Sequence, residues 1–140
     1  MATDLVIRAY QDDDKSAVIE LWNACGLVVP WNDPKDDIDR KVRAQLELFL
    51  VGLLDGRVVA SVMAGYEGHR GWINYLGVRP ELQGKGLGRQ MMNAAEERLR
   101  KLGCPKINLQ VRTSNKAVLA FYERLGFSRD DVVSLGKRLT

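Results

Sequence analysis

The sequence contains few of the residues that build metal sites and disulfide frameworks. Its 140 residues include two cysteines, Cys25 and Cys104, and one histidine, His69. The cysteines are far apart in the chain and form no C-x-x-C pair, and a structural Cys/His zinc site needs four such ligands. The sequence therefore excludes a Cys/His zinc site, and we expect no bound metal. Both cysteines are expected to be reduced and at least half-buried.

Long apolar runs and a strong charge bias are missing as well. No apolar run approaches the ~20 residues that a membrane-spanning helix needs. The first residues, MATDLVIRAY, lack the basic and then apolar order of a secretory signal. We therefore expect a cytoplasmic protein that does not bind membranes. The net charge of +3 comes from scattered basic residues, which argues against a nucleic-acid partner.

Internal repeats, low-complexity tracts and linkers are also absent, so we predict one domain over residues 1–140. Apolar periodicity predicts the element order β-α-α-β-β-β-α-β-α-β. The predicted strands cover residues 5–10, 49–54, 57–66, 72–78, 106–111 and 132–139. The predicted helices run from the acidic stretch 12–14 to Gly26, over 34–48, over 86–102, and from a Thr113 or Ser114 cap to Leu125.

Turn and helix patterns predict how these elements connect. Asp55-Gly56 between two apolar runs is the signature of a tight β-hairpin. The stretch 72–111 reads as a parallel β-α-β crossover. We therefore predict an α/β protein with a mixed, mostly antiparallel sheet. The core side of the helix over 86–102 is predicted to contain Leu87, Met91, Ala94, Ala95, Leu99 and Leu102.

The most informative stretch is QGKGLG, which joins a strand to a helix. Gly84, Gly86 and Gly88 let a ligand approach the backbone, and the free N–H groups of a helix N-terminus favour an anion. Lys85 and Arg89 add positive charge, so the loop suits a phosphate; a tight turn with an exposed lysine is the alternative. Nucleoside-triphosphate loops place Ser or Thr after the lysine, and dinucleotide loops place glycine where Arg89 stands. Both loop types are therefore excluded.

QGKGLG matches the [QR]-x-x-G-x-[GA] signature of the GNAT superfamily of N-acetyltransferases, which bind acetyl-coenzyme A. INYLGVRP resembles the fourth strand of that family. NKAVLAFYERLGF resembles its N-x-x-A-x-x-x-Y-x-x-x-G-F helix, with valine in place of the alanine. The order of the predicted helices and strands over about residues 4–139 also resembles that of the family. The resemblance implies the GNAT fold: a mixed, mostly antiparallel central sheet, helices on both faces and one parallel β-α-β crossover.

The resemblance also implies which residues bind the acetyl donor. The glycine loop would hold the pyrophosphate, and the end of the fourth strand would pair with the pantetheine arm at a bulge. The implied cofactor residues are Leu76, Gly77, Val78, Gln83, Gly84, Lys85, Gly86, Leu87, Gly88, Arg89 and Asn115. Two of these residues also fit a purely structural role, because Gly77 is compatible with a simple strand kink and Asn115 with a helix cap.

The implied chemistry is direct acetyl transfer to an amine in a ternary complex. Tyr122 matches the general acid of the family, although an aromatic residue on a helix stripe with Val118 and Leu125 also suits a core. Family members that acetylate protein N-termini often carry glutamate in L-E-V-R-x-S-N, and here that position is Gln110. Gln110 leaves open a second function, that of a non-catalytic acyl-coenzyme A sensor or interaction module.

Another residue must then take the proton from the amine, unless water relays it. Glu67 is our leading candidate base and Glu81 is a weaker one. His69 is a further candidate, because an imidazole can serve as a base near neutral pH. Each is also compatible with a solvated side chain.

The resemblance places the amine acceptor among the first two helices, the loop 26–34 and the loop 66–71. Acidic residues at 33, 36, 37 and 39 favour a cationic acceptor or simply a solvated helix start. The acceptor is unidentified, and both a monomer and a homodimer fit the sequence.

Overall fold

The computed structural model describes residues 4–140, and the chain divides into two compact units, Met1–Gln110 and Val111–Thr140. The elements of the first unit are β1 (Val6–Ala9), α1 (Lys15–Ala24), α2 (Pro34–Gln45), β2 (Phe49–Leu54), β3 (Arg57–Tyr66), β4 (Gly71–Val78), α3 (Leu87–Lys101) and β5 (Ile107–Leu109). The second unit contains α4 (Lys116–Arg124). Each unit is described by itself below.

The first unit is built on a five-stranded sheet in the order β1-β2-β3-β4-β5. The first three pairings are antiparallel and β4 with β5 is parallel, which confirms the predicted mixed sheet with one crossover. The β2–β3 hairpin has Asp55 at φ 51° and Gly56 at φ 76°. Positive φ at both positions is what a type I′ turn requires, so the predicted hairpin is confirmed.

Helices cover both faces of this sheet. Neighbouring residues of a strand point to opposite faces, and β2 shows which helix lies on each. Val51 belongs to the cluster that contains Trp22 of α1 and Ile38 of α2. At the next residue, a Cβ added to Gly52 would lie 2.8 Å from Met91 Sδ of α3. The helices α1 and α2 therefore pack on one face and α3 on the other.

Apolar stripes at helical spacing hold α1 and α3 on the sheet. Val18, Leu21 and Trp22 of α1 are fully buried, and burying one such side chain contributes roughly 1.5–3 kcal/mol. The core side of α3 is mostly as predicted, with Leu87, Met91, Ala95 and Leu99 buried. The prediction for Leu102 is wrong: this residue is 51% exposed, because α3 ends at Lys101 and the chain turns away at Gly103, whose φ is 81°.

A polar stripe docks α2. Ile38 is the buried apolar residue of this helix. The Lys41 ammonium donates to the carbonyl of Ala64. The Gln45 side chain donates to the Tyr66 carbonyl and accepts from the Tyr66 N–H, both at 3.0 Å. Lys41 and Gln45 therefore hold α2 on β3 through hydrogen bonds to main-chain atoms.

The second unit starts its helix at a different residue from the one predicted. Asn115, and neither Thr113 nor Ser114, is the N-cap of α4, and its Oδ1 accepts the Val118 N–H at 3.2 Å. The predicted exit is confirmed, since Gly126 has φ 95° and the Phe127 N–H bonds to the Tyr122 carbonyl.

The strand predicted over 132–139 is not assigned. A strand needs a neighbouring strand to complete its hydrogen bonds, and within residues 111–140 the element present is the helix α4.

A partly buried ion pair fixes the start of α1 against β1. The Arg8 guanidinium donates to both carboxylate oxygens of Asp14, at 2.7 and 3.0 Å, and the Gln11 N–H donates to Asp14 at 2.9 Å. These contacts, first of all the hydrogen bonds from Arg8, lower the pKa of the Asp14 carboxyl. A carboxyl with a lowered folded-state pKa stabilises the fold above its unfolded pKa and loses that contribution as pH falls through the folded pKa.

Replacing Asp14 with asparagine is expected to lower the free energy of unfolding by about 1–3 kcal/mol at pH 7, because Arg8 loses a charged partner. The deficit should shrink as the pH falls below about 4, the unfolded aspartate pKa, because the unfolded wild-type chain then takes up a proton at Asp14 that the folded carboxyl binds only at lower pH. Urea denaturation at pH 7 and at lower pH measures both effects. Asp13→Asn, an equal charge change at an exposed site, should cost less than about 0.5 kcal/mol. A deficit that stays constant with pH would contradict a role for the ion pair.

Candidate functional site: a bulged strand and a glycine loop

The strand β4 contains a bulge in its pairing with β3. Ser61 pairs with Gly77, and the next pair is Met63 with Asn74. One residue of β3 therefore faces two residues of β4, Tyr75 and Leu76, which is the definition of a β-bulge. Tyr75 has φ 51°, and this left-handed conformation costs a residue with a side chain roughly 1–2 kcal/mol.

Side chains from three elements hold Tyr75 in this conformation. Its ring stacks on Trp22 with centroids 3.8 Å apart and planes at 10°. Its hydroxyl donates to Asp37 Oδ2 at 2.5 Å, and its carbonyl accepts from the Ser61 hydroxyl at 3.0 Å. Burial, followed by the hydrogen bond to Asp37, raises the pKa of Tyr75, so the phenol stays protonated at neutral pH. None of these contacts could be predicted from the sequence, because they join residues distant in the chain.

The pairing of β4 with β5 covers the first three residues of β4. The two strands pair at Gly71↔Ile107, Trp72↔Asn108 and Ile73↔Leu109, and the register ends there. Beyond Ile73, the edge of β4 that faces away from β3 has no register with β5. Such an edge presents main-chain donors and acceptors that an extended ligand can pair with. Leu76, Gly77 and Val78, the predicted contacts of the pantetheine arm, lie in this segment.

Packing explains why residue 77 is glycine. A Cβ at this position would lie 3.1 Å from Leu27 Cδ1 and 3.3 Å from Cys25 Sγ. The Cys25 thiol also donates to the Val78 carbonyl at 3.1 Å, and burial raises the pKa of this thiol. Gly77 therefore lets the segment after α1 pack closely on β4, a reason that the sequence did not reveal.

The glycine loop follows this strand and leads into α3. Gly84 and Gly86 have φ of 79° and 82°, and a Cβ at either position would meet nothing within 4 Å. The Gln83 amide donates to the Val78 carbonyl at 3.0 Å and thereby ties the loop to the end of β4.

The first turn of α3 can receive an anion. Gly86 is the N-cap of α3 and supplies no side-chain cap. The first N–H groups of a helix have no acceptor within it, and here they belong to Leu87, Gly88 and Arg89. Lys85 and Arg89 are exposed beside them. This geometry suits an anion, while the pyrophosphate contact itself stays a prediction.

The candidate bases lie in exposed turns. The Glu67 carboxylate accepts the N–H groups of His69 at 2.7 Å and Arg70 at 2.5 Å, and these bonds lower its pKa. Glu67 thus closes the β3–β4 turn as an ionised group. The Glu81 carboxylate pairs with Arg79 at 3.0 Å, which lowers its pKa as well. His69 is exposed in the same turn as Glu67.

In the second unit, Tyr122 is 7% exposed and makes edge contacts with two aromatic rings. The centroids of Phe121 and Phe127 are 5.1 and 5.5 Å from its own. Burial raises the pKa of Tyr122 to about 12, so the phenol keeps its proton at neutral pH. Asn115 has its side-chain oxygen in the helix cap, the alternative raised by the sequence. Contacts of Tyr122 and Asn115 with a cofactor stay predictions.

The part of the chain from residue 4 onward shows neither a metal cluster nor a membrane helix. Within that part no three or more His, Cys, Asp and Glu side chains are grouped so as to hold a metal ion. No helix there has the length and apolar character to cross a membrane.

Solved structures with a similar fold include several acetyltransferases. The ribosomal-protein-S18-alanine N-acetyltransferase of Escherichia coli is 25% identical, with a TM-score of 0.76 over 90% of this chain and 79% of that one. Glucosamine-6-phosphate N-acetyltransferase of Arabidopsis thaliana is 24% identical, with a TM-score of 0.70 over 97% and 99%. AAC(6')-Iy, in complex with the bisubstrate analogue CoA-S-monomethyl-acetylneamine, is 16% identical, with a TM-score of 0.78 over 97% and 99%.

The match to a family model extends over more of the chain than the glycine loop and the Asn115–Phe127 motif. The model of the acetyltransferase (GNAT) family matches residues 10–127, from the end of β1 to the residue that follows the exit of α4. This range includes the bulged strand, the glycine loop and the Asn115–Phe127 motif. The protein described here is a member of the acetyltransferase (GNAT) family.

Proposed function

We propose that the protein is an N-acetyltransferase that moves the acetyl group of acetyl-coenzyme A directly to a primary amine within a ternary complex. The observation that carries the proposal is the family match over 10–127, joined to a bulged β4 that leads into a glycine loop. The protein is proposed to act as a single domain over 1–140, as a monomer or a homodimer.

In this proposal the donor lies along β4 and the loop. The pyrophosphate is bound by N–H groups from Gly84 to Arg89, and the pantetheine arm pairs with residues 76–78 at the edge that β5 leaves. The coenzyme A moiety in the AAC(6')-Iy complex supports the choice of donor, because that protein shares the fold. Asn115 is proposed to contact the arm while it caps α4.

The reaction needs three proton and charge adjustments. The amine nitrogen attacks the thioester carbon, the carbon–sulfur bond breaks, and the amine gives up a proton. The carbonyl oxygen gains negative charge in the transition state and needs a preorganised donor, which a main-chain N–H at the bulge can supply. The sulfur leaves as a thiolate that takes up a proton.

Tyr122 is proposed as the general acid for the leaving sulfur. Its pKa of about 12 keeps it protonated across the physiological range. A thiol titrates near ~8.5, so complete proton transfer from Tyr122 to the thiolate is uphill by about 5 kcal/mol. Tyr122 is therefore proposed to assist the leaving sulfur by donating a hydrogen bond as the negative charge develops. Tyr122 keeps its proton, and the thiolate takes up a proton from solvent.

The proton of the amine is proposed to reach Glu67 through water, because Glu67 follows the Tyr66↔Gly71 pair, roughly 16 Å along β4 from Leu76 at about 3.3 Å per residue. Its lowered pKa keeps Glu67 ionised and able to accept at neutral pH, but it also makes Glu67 a weak base. Its contribution should therefore be small.

Turnover with a panel of amines tests the proposal. Acetyl-coenzyme A is incubated with peptides, polyamines, amino sugars and aminoglycosides, and free thiol and the acetylated amine are both measured. Amine-dependent thiol release with a matching product is expected for at least one class. Tight donor binding with no transfer to any amine would favour the non-catalytic acyl-coenzyme A sensor, which Gln110 makes the second candidate.

Gly86→Ala is expected to weaken coenzyme A binding about tenfold or more, a loss of about 1.4 kcal/mol, because a Cβ enters the approach to the anion. Isothermal titration with coenzyme A measures the change. Gly56→Ala is the matched control: its φ of 76° is close to the 82° of Gly86, and both sites are open. Both variants should lose similar stability, and Gly56→Ala should bind normally. Equal binding by both variants would place the pyrophosphate elsewhere.

Tyr122→Phe is expected to lower kcat by about 10- to 100-fold, at or below the lower end of the range for general acid–base catalysis, with little change in the KM for acetyl-coenzyme A. The hydroxyl is lost while the ring contacts with Phe121 and Phe127 stay. Steady-state kinetics at saturating amine measure the effect, and Tyr10→Phe, which removes the hydroxyl of another buried tyrosine, is the control. An unchanged kcat would reduce Tyr122 to a core aromatic residue.

Glu67→Gln is expected to lower kcat about tenfold, below the usual range for a general base because Glu67 is a weak one. Glutamine keeps an oxygen that can accept both turn N–H groups, so the melting temperature should change little. The pH–rate profile of the variant should lose part of its acidic limb. A profile identical to that of the wild type would leave water as the proton acceptor, and Glu81→Gln then tests the weaker candidate.

A further inference from the structure

A hydrogen-bonded chain runs from α1 through β3 to the bulge of β4. The Trp22 indole N–H donates to Ser61 Oγ at 2.9 Å, and the Ser61 hydroxyl donates to the Tyr75 carbonyl at 3.0 Å. Trp22 and Ser61 are both fully buried. An indole N–H can only donate and a carbonyl can only accept, so the single hydroxyl proton of Ser61 is directed at Tyr75.

This chain determines where the next N–H points. A trans peptide group places its N–H opposite its carbonyl, and no cis peptide occurs in the described residues. The carbonyl of Tyr75 points to Ser61 on β3, so the N–H of Leu76 points away from β3. That direction is the edge of β4 beyond Ile73, where the register with β5 has ended.

We propose that Ser61, held by Trp22, is a positioning residue that aims the Leu76 N–H at the thioester oxygen of the acetyl donor. The inference rests on the proposed function, since it names the donor group for the charge that develops during acetyl transfer. Ser61 touches no substrate and acts through the Tyr75–Leu76 peptide. The hydrogen bond that the Tyr75 carbonyl accepts also polarises this peptide group and strengthens its N–H as a donor.

Tyr75 has two other anchors, which allow the role of Ser61 to be separated from that of the bulge. The stack on Trp22 and the hydrogen bond to Asp37 hold the side chain of Tyr75 without Ser61. Removing the Ser61 hydroxyl therefore leaves the ring in place and frees the peptide to tilt. The loss should appear in the alignment of the Leu76 N–H rather than in donor affinity.

Kinetics of Ser61→Ala provide the first test. We expect kcat to fall about tenfold to hundredfold, at or below the effect of deleting an oxyanion donor, with the KM for acetyl-coenzyme A within about twofold. Trp22→Phe keeps a ring that can stack on Tyr75 and loses the N–H that binds Ser61, so a smaller fall in kcat is expected. If Ser61→Ala does not fold, Trp22→Phe serves as the test variant. Val51→Ala, buried opposite Ser61 in the β2–β3 register, should lower the melting temperature with kcat nearly unchanged.

The thioester carbonyl itself gives a second readout. Infrared difference spectra of bound acetyl-coenzyme A, with and without a carbonyl ¹³C label, report the hydrogen bond to its oxygen. The wild type should lower the stretching frequency relative to free donor, and Ser61→Ala should lose that shift while Val51→Ala keeps it. An unchanged frequency and an unchanged kcat in Ser61→Ala would overturn the inference.

The two readouts separate the inference from the proposed function. A wild type that transfers acetyl groups, with Ser61→Ala equal to it in both measurements, overturns the role of Ser61 alone. The wild type could instead transfer to no amine but shift the carbonyl band, with the shift lost in Ser61→Ala. That result overturns the proposed function and supports the positioning of the Leu76 N–H by Ser61. A wild type that does not bind acetyl-coenzyme A overturns both.

Discussion

The extra residue in β4 sets the geometry on which the candidate site depends. Because one position of β3 faces both Tyr75 and Leu76, β4 changes direction there. The cost of the left-handed Tyr75 is offset by a stack on Trp22, a hydrogen bond to Asp37 and a hydrogen bond from Ser61. All three contacts come from buried or half-buried groups, so the bulge is held by the same core that holds the fold.

The end of β4 also joins the scaffold to the glycine loop. The Val78 carbonyl accepts from the Cys25 thiol and from the Gln83 amide. One main-chain atom thus connects the segment after α1, the strand and the loop that leads into α3. Movement of any of these would move the others, which suits a site that must present main-chain N–H groups at fixed positions.

Features that depend on local sequence could be predicted, and features that depend on distant partners could not. Asp55-Gly56 determines its turn through its own backbone preferences, and the glycine loop was recognised from its spacing. Ser61 reads as an ordinary polar residue of a strand, since its partner Trp22 lies 39 residues away. The residue types over 132–139 favour a strand, but local sequence does not reveal which strand would be the neighbour that a ladder requires.

The polar docking of α2 has a consequence for how this family member can change. Lys41 and Gln45 bind main-chain atoms of β3, and main-chain atoms are present whatever the strand sequence is. Apart from Asp37, which accepts the Tyr75 hydroxyl, the outward residues of α2 can therefore be exchanged without a matching change in the sheet. Because α2 lies on the side where the amine acceptor is expected, the helix can diverge toward a new acceptor while β4 and its loop stay as they are.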